Sequence, residues 1–268
     1  MVSISVVTVS LNSARQIPRA LESVVAQGDS LFEFILVDGK SSDGTVGIVE
    51  NYRPQLGSRL RILSESDSGL YDAMNKGIAL ARGDVVGLLN SDDEYLPGAL
   101  RDVQSTFALE DADVVLADVI AVTENGDFRI SSDARDLKKK MTIAHPGCFV
   151  RRDLYARIGG FDIRYRIAAD YDFLLRCFRF GARFSRLNRV VTRFAGGGAS
   201  SRSWQLAGEM FTIHSRQISK WHASFYLVIR AGSILGLKLR RSFGVMLLGG
   251  DRYHRLARWL RTRRKILF

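Results

Sequence analysis

The sequence contains little cysteine and little proline, and both shortages limit the kinds of protein it can be. Its two cysteines, Cys148 and Cys177, lack a CxxC spacing and are too few for a disulfide framework. They indicate buried thiols in a reducing compartment and no zinc site. Only four prolines occur in 268 residues, so no flexible linker is evident. With 46% hydrophobic residues, we expect one main globular core, with or without a modest appendage.

Long hydrophobic runs are also missing. The longest candidate for a membrane span, residues 225–239, is interrupted by Arg230 and Lys238 and is shorter than the roughly 18 to 20 apolar residues that a spanning helix needs. The apolar run of residues 2–11 follows Met1 without a basic lead or a small-residue cleavage site, which predicts a first strand rather than a signal peptide. We therefore expect a cytoplasmic protein without a spanning helix.

Acidic residues are scarce in only one part of the chain. Residues 201–268 contain 14 Lys or Arg against 2 Asp or Glu, whereas the first 200 residues contain 25 against 26. A near-neutral body with a basic tail argues against a nucleic-acid partner and suggests docking to an anionic surface. We interpret residues 202–268 as a basic amphipathic helical extension, of which residues 221–268 would bind an anionic membrane peripherally. Packing on the domain and self-association into a homo-oligomer are the alternatives.

Strand and helix patterns alternate through the first 119 residues. Runs rich in Val, Ile and Leu predict strands at 3–10, 32–37, 60–64, 84–89 and 113–119, and the segments between them predict helices ending near 27 or covering 43–52, 71–81 and 97–107. Ser13 and Gln16 have the spacing of a capping box for the first helix. This alternation indicates an α/β fold, Rossmann-like, with a mostly parallel central sheet and helices on both faces.

The alternation stops after residue 120. Residues 120–140 are irregular, with a hairpin turn predicted at Asn125 and Gly126. We then predict a strand at 148–150, helices at 152–158 and 169–180, and a strand at 183–194. The chain thus has a regular half, 1–119, and a less regular half, 120–201, within one predicted domain, 1–201.

Polar side chains follow the second and third predicted strands where these strands end, which is where ligands of such sheets bind. Asp38 follows the second strand, Asp67 follows the third, and Asn75 and Lys76 lie on the next helix. Each has a structural alternative. Asp38 suits an ordinary turn, Asp67 suits a helix cap, and Asn75 and Lys76 suit a solvated helix face.

Three consecutive acids, Asp92, Asp93 and Glu94, follow the fourth strand. Because like charges this close repel one another, a bound cation is the simplest compensation, and oxygen ligands favour Mg²⁺ or Mn²⁺. A solvated acidic loop that caps the next helix is the alternative.

Asp170 begins a predicted helix and suits either a helix cap or a general base, since a buried carboxylate can deprotonate a sugar hydroxyl. His145 is read as a packed histidine or a ligand contact. The glycine run that contains Gly197, followed by Ser200, is a candidate for a mobile lid.

Taken together, these motifs resemble family 2 of the inverting glycosyltransferases with the GT-A fold, particularly bacterial enzymes of exopolysaccharide and lipopolysaccharide biosynthesis. The resemblance runs from about Ser3 to Ser201. It is carried, in order, by SVVTVSLN, LVDGKSSDGT, ESDSGLYDAMNKGI, GDVVGLLNSDD, HPGCFVRRDLYARIGGFD and AADYDFLLR.

The resemblance implies a role for each matching position. The nucleotide-sugar set would be Thr8, Asp38, Asp67, Asn75, Lys76 and Asp92. Asp93, at the end of the DXD-type motif Ser91-Asp92-Asp93, would hold Mn²⁺ or Mg²⁺, and Asp170 would be the catalytic base. Candidates for acceptor contacts or a lid would be His145, Tyr171, Gly197 and Ser200. Ala169 and Ser91 stand where the family often has acids, which leaves Asp170 unaffected but reduces the number of possible metal ligands.

The implied reaction is an inverting displacement. A sugar would pass from a nucleoside diphosphate, with UDP as the expected nucleotide, to a glycan or polyprenyl-diphosphate-linked glycan at the cytoplasmic face of the inner membrane. The alternatives are a nucleotide-sugar-binding protein without catalysis and a nucleic-acid-binding protein that uses the basic tail.

Overall fold

The protein divides into two compact units, Met1–Ser201 and Arg202–Phe268. A computed structural model describes residues 2–124, 126–138, 141–196, 203–221 and 223–224. In the second unit the longest described element is a helix, α8 (Ser203–Gln217). Nearly all of the predicted membrane-binding segment, 221–268, lies outside the described residues. Among the helices that are described, none is long and apolar enough to cross a bilayer.

Four parallel strands form the first part of the sheet in the first unit. In chain order they are β1 (Ile4–Ser10), β2 (Glu33–Asp38), β3 (Leu60–Ser64) and β4 (Val85–Leu88), and they lie side by side in the order β3-β2-β1-β4. The helices of this region are α1 (Ile17–Val25), α2 (Thr45–Glu50), α3 (Arg53–Leu56) and α4 (Leu70–Leu80). The order of the strands reverses between β1 and β4, which places a crevice at their carboxyl ends.

The remaining strands continue the same sheet with mixed directions. They are β5 (Glu94–Tyr95), β6 (Val114–Val122), β7 (Phe128–Ile130), β8 (Cys148–Arg151) and β9 (Phe184–Ala195), and the helices are α5 (Ala99–Leu109), α6 (Arg152–Ile158) and α7 (Ala169–Phe180). β8 lies antiparallel between β4 and β6, and β9 runs parallel to β6. Residues 119 and 120 lie within β6, so the two predicted halves share one sheet.

Strand β1, ISVVTVS, contains only apolar and small polar residues. All seven of its residues are buried, as expected for a parallel strand covered on both faces. Helix α4 packs so closely on β1 and β2 that a Cβ at Gly77 would lie 2.2 Å from Val7 and 3.1 Å from Val37. This close approach brings the first turn of α4 to the carboxyl ends of the strands.

The predicted α/β class and the order of its elements are confirmed. One local prediction, the capping box of Ser13 and Gln16, is wrong: α1 begins at Ile17 and has no side-chain cap. The Ser13 hydroxyl instead accepts a hydrogen bond of 2.9 Å from Ser91, which joins the loops after β1 and β4. The short strand β5 was not predicted, because two residues are too few to show a period.

Candidate active site

Two adjoining cavities open at the carboxyl ends of β1 and β4. The smaller has a volume of about 480 Å³ and the larger about 1040 Å³. Leu70, Asn90 and Asp92 line both cavities, so these are neighbouring parts of one cleft. The larger cavity also brings together Asp93 and Asp170, which are 77 residues apart in the sequence. The sequence led us to expect Asp38, Asp93 and Asp170 around one hollow; Asp93 and Asp170 share this cavity, whereas Asp38 lines neither cavity.

The smaller cavity is lined by the loops after β1 and β4 and by Asp67. The Asp67 carboxylate accepts a hydrogen bond of 2.8 Å from the amide of Gly69, the residue before α4. Gly39 packs against the same carboxylate, since a Cβ at that position would lie 2.6 Å from Oδ2 of Asp67. None of the described residues that line this cavity is basic. A diphosphate here would need its charge compensated by another group.

Thr8 and Asp38 are fully buried and line neither cavity. Asp38 accepts hydrogen bonds from the hydroxyls of Ser10, Ser41 and Ser64 and from the amide of Ser41. Burial would raise the pKa of Asp38, but these hydrogen bonds outweigh it and hold the pKa below its usual value. A nucleotide base could reach this carboxylate only by displacing one of its present partners.

Asn75 and Lys76 also lie away from both cavities. The Asn75 side chain pairs with the backbone of Phe161, donating to its carbonyl at 2.9 Å and accepting from its amide at 2.8 Å. The Lys76 ammonium contacts Glu65 at 2.8 Å and the carbonyl of Ser66 at 2.8 Å. Both side chains secure neighbouring segments of the chain, and their predicted nucleotide role stays a prediction.

Asp92 and Asp93 occupy different environments although they are adjacent. Asp92 is half-buried and lines both cavities, whereas Asp93 is 2% exposed and lines only the larger one. Burial, together with the charge of Asp92, raises the pKa of Asp93 to about 7, against hydrogen bonds from Asn90 and Ala195. A buried carboxylate held in this way favours a positive partner.

Asp170 lies in the first turn of α7 and faces the larger cavity. Its Oδ1 accepts hydrogen bonds from the amide of Tyr171 at 2.8 Å and the hydroxyl of Tyr71 at 3.2 Å. Burial raises the pKa of Asp170, while His145 and these donors oppose the rise. A carboxylate with a raised pKa is suited to accept a proton from a hydroxyl group.

The candidates for acceptor contacts or a lid differ in their positions relative to the cleft. His145 lines the larger cavity, and burial lowers its pKa despite the nearby Asp170. Tyr171 is 1% exposed and lines neither cavity, and its hydroxyl donates to the carbonyl of Leu137 at 2.8 Å. Its predicted role as an acceptor contact stays a prediction. Gly197 and Ser200 lie outside the described residues.

Two residues of the cleft were missed by the sequence reading. Asn90 lines both cavities, and its side-chain Oδ1 is buried without a hydrogen-bond partner. Tyr71 presents its hydroxyl to Asp170. A tyrosine in the first turn of an amphipathic helix resembles an ordinary core residue, so only its place within the motif ESDSGLYDAMNKGI could have indicated it.

The residues at the cleft fit a divalent cation. Among the described residues no group of three or more His, Cys, Asp or Glu converges as a complete metal cage. Mg²⁺ is commonly bound through one or two carboxylates together with substrate phosphates. Asp93, with Asp92 beside it and the unpartnered Asn90 oxygen nearby, supplies oxygen ligands of this kind.

Comparisons with known proteins identify the family of this chain. The profile of Glycosyl transferase family 2 matches residues 5–172. A PGL/p-HBAD biosynthesis glycosyltransferase of Mycobacterium bovis (strain BCG / Pasteur 1173P2) is 39% identical over 189 residues, covering 70% of this chain and 74% of the relative. A second glycosyltransferase, from Mycobacterium tuberculosis, is 34% identical over 182 residues, covering 65% of this chain and 68% of that relative.

Solved structures share the fold at low sequence identity. Staphylococcus aureus TarS 1-349 in complex with UDP-GlcNAc has a TM-score of 0.67 at 22% identity, covering 84% of this chain and 70% of that one. The mannosyltransferase PcManGT from Pyrobaculum calidifontis, in complex with GDP-Man and Mn²⁺, has a TM-score of 0.64 at 19% identity, covering 95% and 83%. The fold is the GT-A fold of glycosyltransferases. The chain belongs to glycosyl transferase family 2, as the sequence motifs predicted.

Proposed function

We propose that this glycosyltransferase is inverting and cation-dependent, and that it transfers a sugar from a UDP-sugar to a hydroxyl group of a glycan or lipid-linked glycan. The observation that carries the proposal is that Asp93 and Asp170 line one cavity, next to a smaller cavity that has no basic residue among its described lining residues. The nucleotide would lie in the smaller cavity beside Asp67. The sugar would extend past Asp92 into the larger cavity.

We assign Asp170 and Asp93 different roles in the transfer reaction. Asp170 accepts the proton of the acceptor hydroxyl, and the acceptor oxygen then bonds to the anomeric carbon as the bond to the diphosphate breaks. A cation held by Asp93 would stabilise the departing diphosphate. Attack opposite the leaving group inverts the configuration, so an α-linked donor sugar gives a β-glycoside.

We propose UDP as the donor nucleotide because the fold is similar to that of TarS, which has been solved with UDP-GlcNAc and with UDP. Because PcManGT has been solved with GDP-Man, the nucleotide must be tested directly. Thermal-shift screening against UDP, GDP and their sugars, each with Mn²⁺, should show the largest stabilisation with a uridine compound.

An amphipathic acceptor suits the larger cavity. Its lining includes the apolar side chains of Ile130, Met141, Ile143 and Phe194, which can cover an apolar group beside the reacting sugar. This lining supports the lipid-linked acceptor predicted from the sequence and a role in bacterial surface polysaccharide biosynthesis. Alkyl glycosides should be better acceptors than the corresponding free sugars.

Because a lipid-linked acceptor lies in a membrane, we also propose that the protein binds peripherally to the cytoplasmic face of the inner membrane. Its support is the excess of basic residues in the extension. Flotation with anionic vesicles should recover the full chain, and replacement of Arg261, Arg263 and Arg264 by Glu should release it. Equal flotation of both proteins would reject membrane binding through these charges.

The decisive experiment measures transfer from a panel of UDP-sugars with and without Mn²⁺. We expect Mn²⁺-dependent turnover that falls by at least about 100-fold in Asp170→Asn, since general bases contribute about 10² to 10⁴ in rate. Asp153→Asn is the matched control, because Asp153 is an exposed carboxylate on α6. Turnover by Asp170→Asn equal to that of the control would contradict the proposed mechanism.

A further inference from the structure

The first turn of α4 connects the smaller cavity to the carboxylate of Asp170. Gly69, before the helix, is bonded to Asp67, and Leu70 lines both cavities. The next residue, Tyr71, is buried, and its hydroxyl lies 2.7 Å from the carbonyl of Ile167 and 3.2 Å from Oδ1 of Asp170. The donor side and the base side of the cleft are therefore joined through one helical turn.

A second contact on the same face of α4 fixes the segment that precedes Asp170. Asn75 lies four residues after Tyr71, so both side chains point to one side of the helix. Its paired hydrogen bonds with Phe161 leave little room for movement, since a Cβ at Gly160 would overlap its side-chain oxygen. The Tyr71 ring also packs on Phe161, with ring centroids 5.3 Å apart.

Two of the hydrogen bonds to the Asp170 carboxylate fall on the same oxygen. Both the Tyr71 hydroxyl and the Tyr171 amide are bonded to Oδ1. Oδ2 takes part in neither of these two contacts, and we assign it to receive a proton from an acceptor in the larger cavity. The Tyr171 amide belongs to the same helix as Asp170, whereas the Tyr71 hydroxyl comes from a different element and fixes the direction of the carboxyl plane.

We infer that Tyr71 is a positioning residue for the reaction, holding Oδ1 of Asp170 so that Oδ2 faces the acceptor hydroxyl. The inference rests on the proposed role of Asp170 as the base. It predicts that loss of the Tyr71 hydroxyl lowers turnover while leaving the affinity for the donor unchanged. A hydrogen bond to a charged group is typically worth enough for a fall in kcat of about ten-fold.

The pH profile separates positioning from a merely structural role. The titratable side chains that face Asp170 from the elements packed against it are Tyr71 on α4, His145 in the short turn before β8, and Cys148 at the start of β8. The single proton of the Tyr71 hydroxyl is shared between the carbonyl of Ile167 at 2.7 Å and Oδ1 of Asp170 at 3.2 Å, and its interaction with Asp170 favours the ionised carboxylate. Tyr71→Phe should therefore move the acidic limb of kcat/KM to higher pH. A 3-fluorotyrosine at position 71, whose phenol is the stronger acid, should move it to lower pH.

The test measures kcat, KM for the donor and the pH profile in the full chain. Tyr155→Phe is the matched control, because Tyr155 is buried in the same aromatic cluster, stacked on Phe173, and its hydroxyl does not bond to Asp170. We expect Tyr71→Phe, and not Tyr155→Phe, to lower kcat about ten-fold at constant KM for the donor. If Tyr71→Phe does not fold, the opposite shift with fluorotyrosine still tests the inference.

The possible failures are distinguishable. Active wild-type protein with an inactive Asp170→Asn variant, but a Tyr71→Phe variant that matches Tyr155→Phe in kcat and pH profile, would overturn the inference alone. Equal activity of wild type and Asp170→Asn would instead reject the proposed base, whatever Tyr71→Phe does.

Discussion

The side-chain amide of Asn90 donates a hydrogen bond of 3.0 Å to Oδ2 of Asp93 at the edge of the larger cavity. The other carboxylate oxygen accepts from the amide of Ala195 at 3.2 Å. Burial and the neighbouring Asp92 nevertheless raise the pKa of Asp93 to about 7. In the absence of a cation, the ionised form of Asp93 therefore weakens the folded protein near neutral pH, and a cation would remove this penalty.

The first prediction concerns stability as a function of pH without metal. In the unfolded chain an Asp ionises near pH 4, whereas folded Asp93 ionises near pH 7. The folded state binds more protons between these values, so the free energy of unfolding falls as pH rises through this window. Asp93→Asn removes this loss and should gain about 1–3 kcal/mol relative to wild type between pH 4 and pH 8.

Urea unfolding at several pH values measures this difference. The exposed Asp153→Asn variant serves as the control and should follow wild type. If wild type and Asp93→Asn show parallel pH dependences, Asp93 does not ionise with the raised pKa.

The second prediction is that bound ligands reverse the order of stability of wild type and Asp93→Asn. With Mn²⁺ and UDP in excess, wild type should gain about 2.7 kcal/mol at one hundred times the dissociation constant, while Asp93→Asn gains little. Thermal midpoints measured with Mn²⁺ alone, UDP alone and both together should show that the two ligands act jointly. A full shift in Asp93→Asn would place the cation elsewhere.

The third prediction concerns the approach of Gly39 to Asp67. Gly39→Ala places a methyl group against Oδ2 of Asp67 and should weaken UDP binding by about ten-fold or more, because the carboxylate must move. Gly47→Ala is the control, since a Cβ at this helical position meets no atom within 4 Å. Calorimetric titration with UDP and Mn²⁺ compares the two. Equal affinities would show that the position of Asp67 is unimportant for the nucleotide.

The fourth prediction is that Asn75 and Lys76, for which the sequence indicated the same role, differ in their contribution to stability. Asn75→Ala leaves the amide and carbonyl of Phe161 without their partners and should cost about 1–3 kcal/mol of the free energy of unfolding. Lys76→Ala removes a surface ion pair with Glu65 and should cost at most about 1 kcal/mol. Urea unfolding measures both. A larger loss for Lys76→Ala would contradict the structural role assigned to Asn75.

Much of the fold could be predicted because its signals are local. Helices α6 and α7 begin and end at the predicted residues, and β8 begins at the predicted Cys148. Apolar runs and flanking turns are sufficient there. The position of Asp93 at the cleft could also be expected, since residues that follow the carboxyl ends of parallel strands meet at the same edge of a sheet. Asp170 follows no parallel strand, and only its place in the motif AADYDFLLR indicated it.

The features that could not be predicted depend on contacts between residues distant in the sequence. Asn75 carries the same polar signal as a ligand residue, but its partner Phe161 is 86 residues away, and no local pattern shows that pairing. Tyr71 is the opposite case, because its ring suits the core while its hydroxyl reaches Asp170, 99 residues away. Thr8 lies in a recognisable motif, yet burial on both faces of β1 keeps its side chain from the cleft.

The central claim is that Asp93 and Asp170 act from one cleft on one donor molecule. A crystal structure with Mn²⁺ and a non-hydrolysable UDP-sugar tests it most directly. We predict the cation about 2.1 Å from a carboxylate oxygen of Asp93, with the uridine beside Asp67 and the sugar directed towards Asp170. A cation bound away from Asp93, or a sugar that leaves the larger cavity empty, would contradict the account.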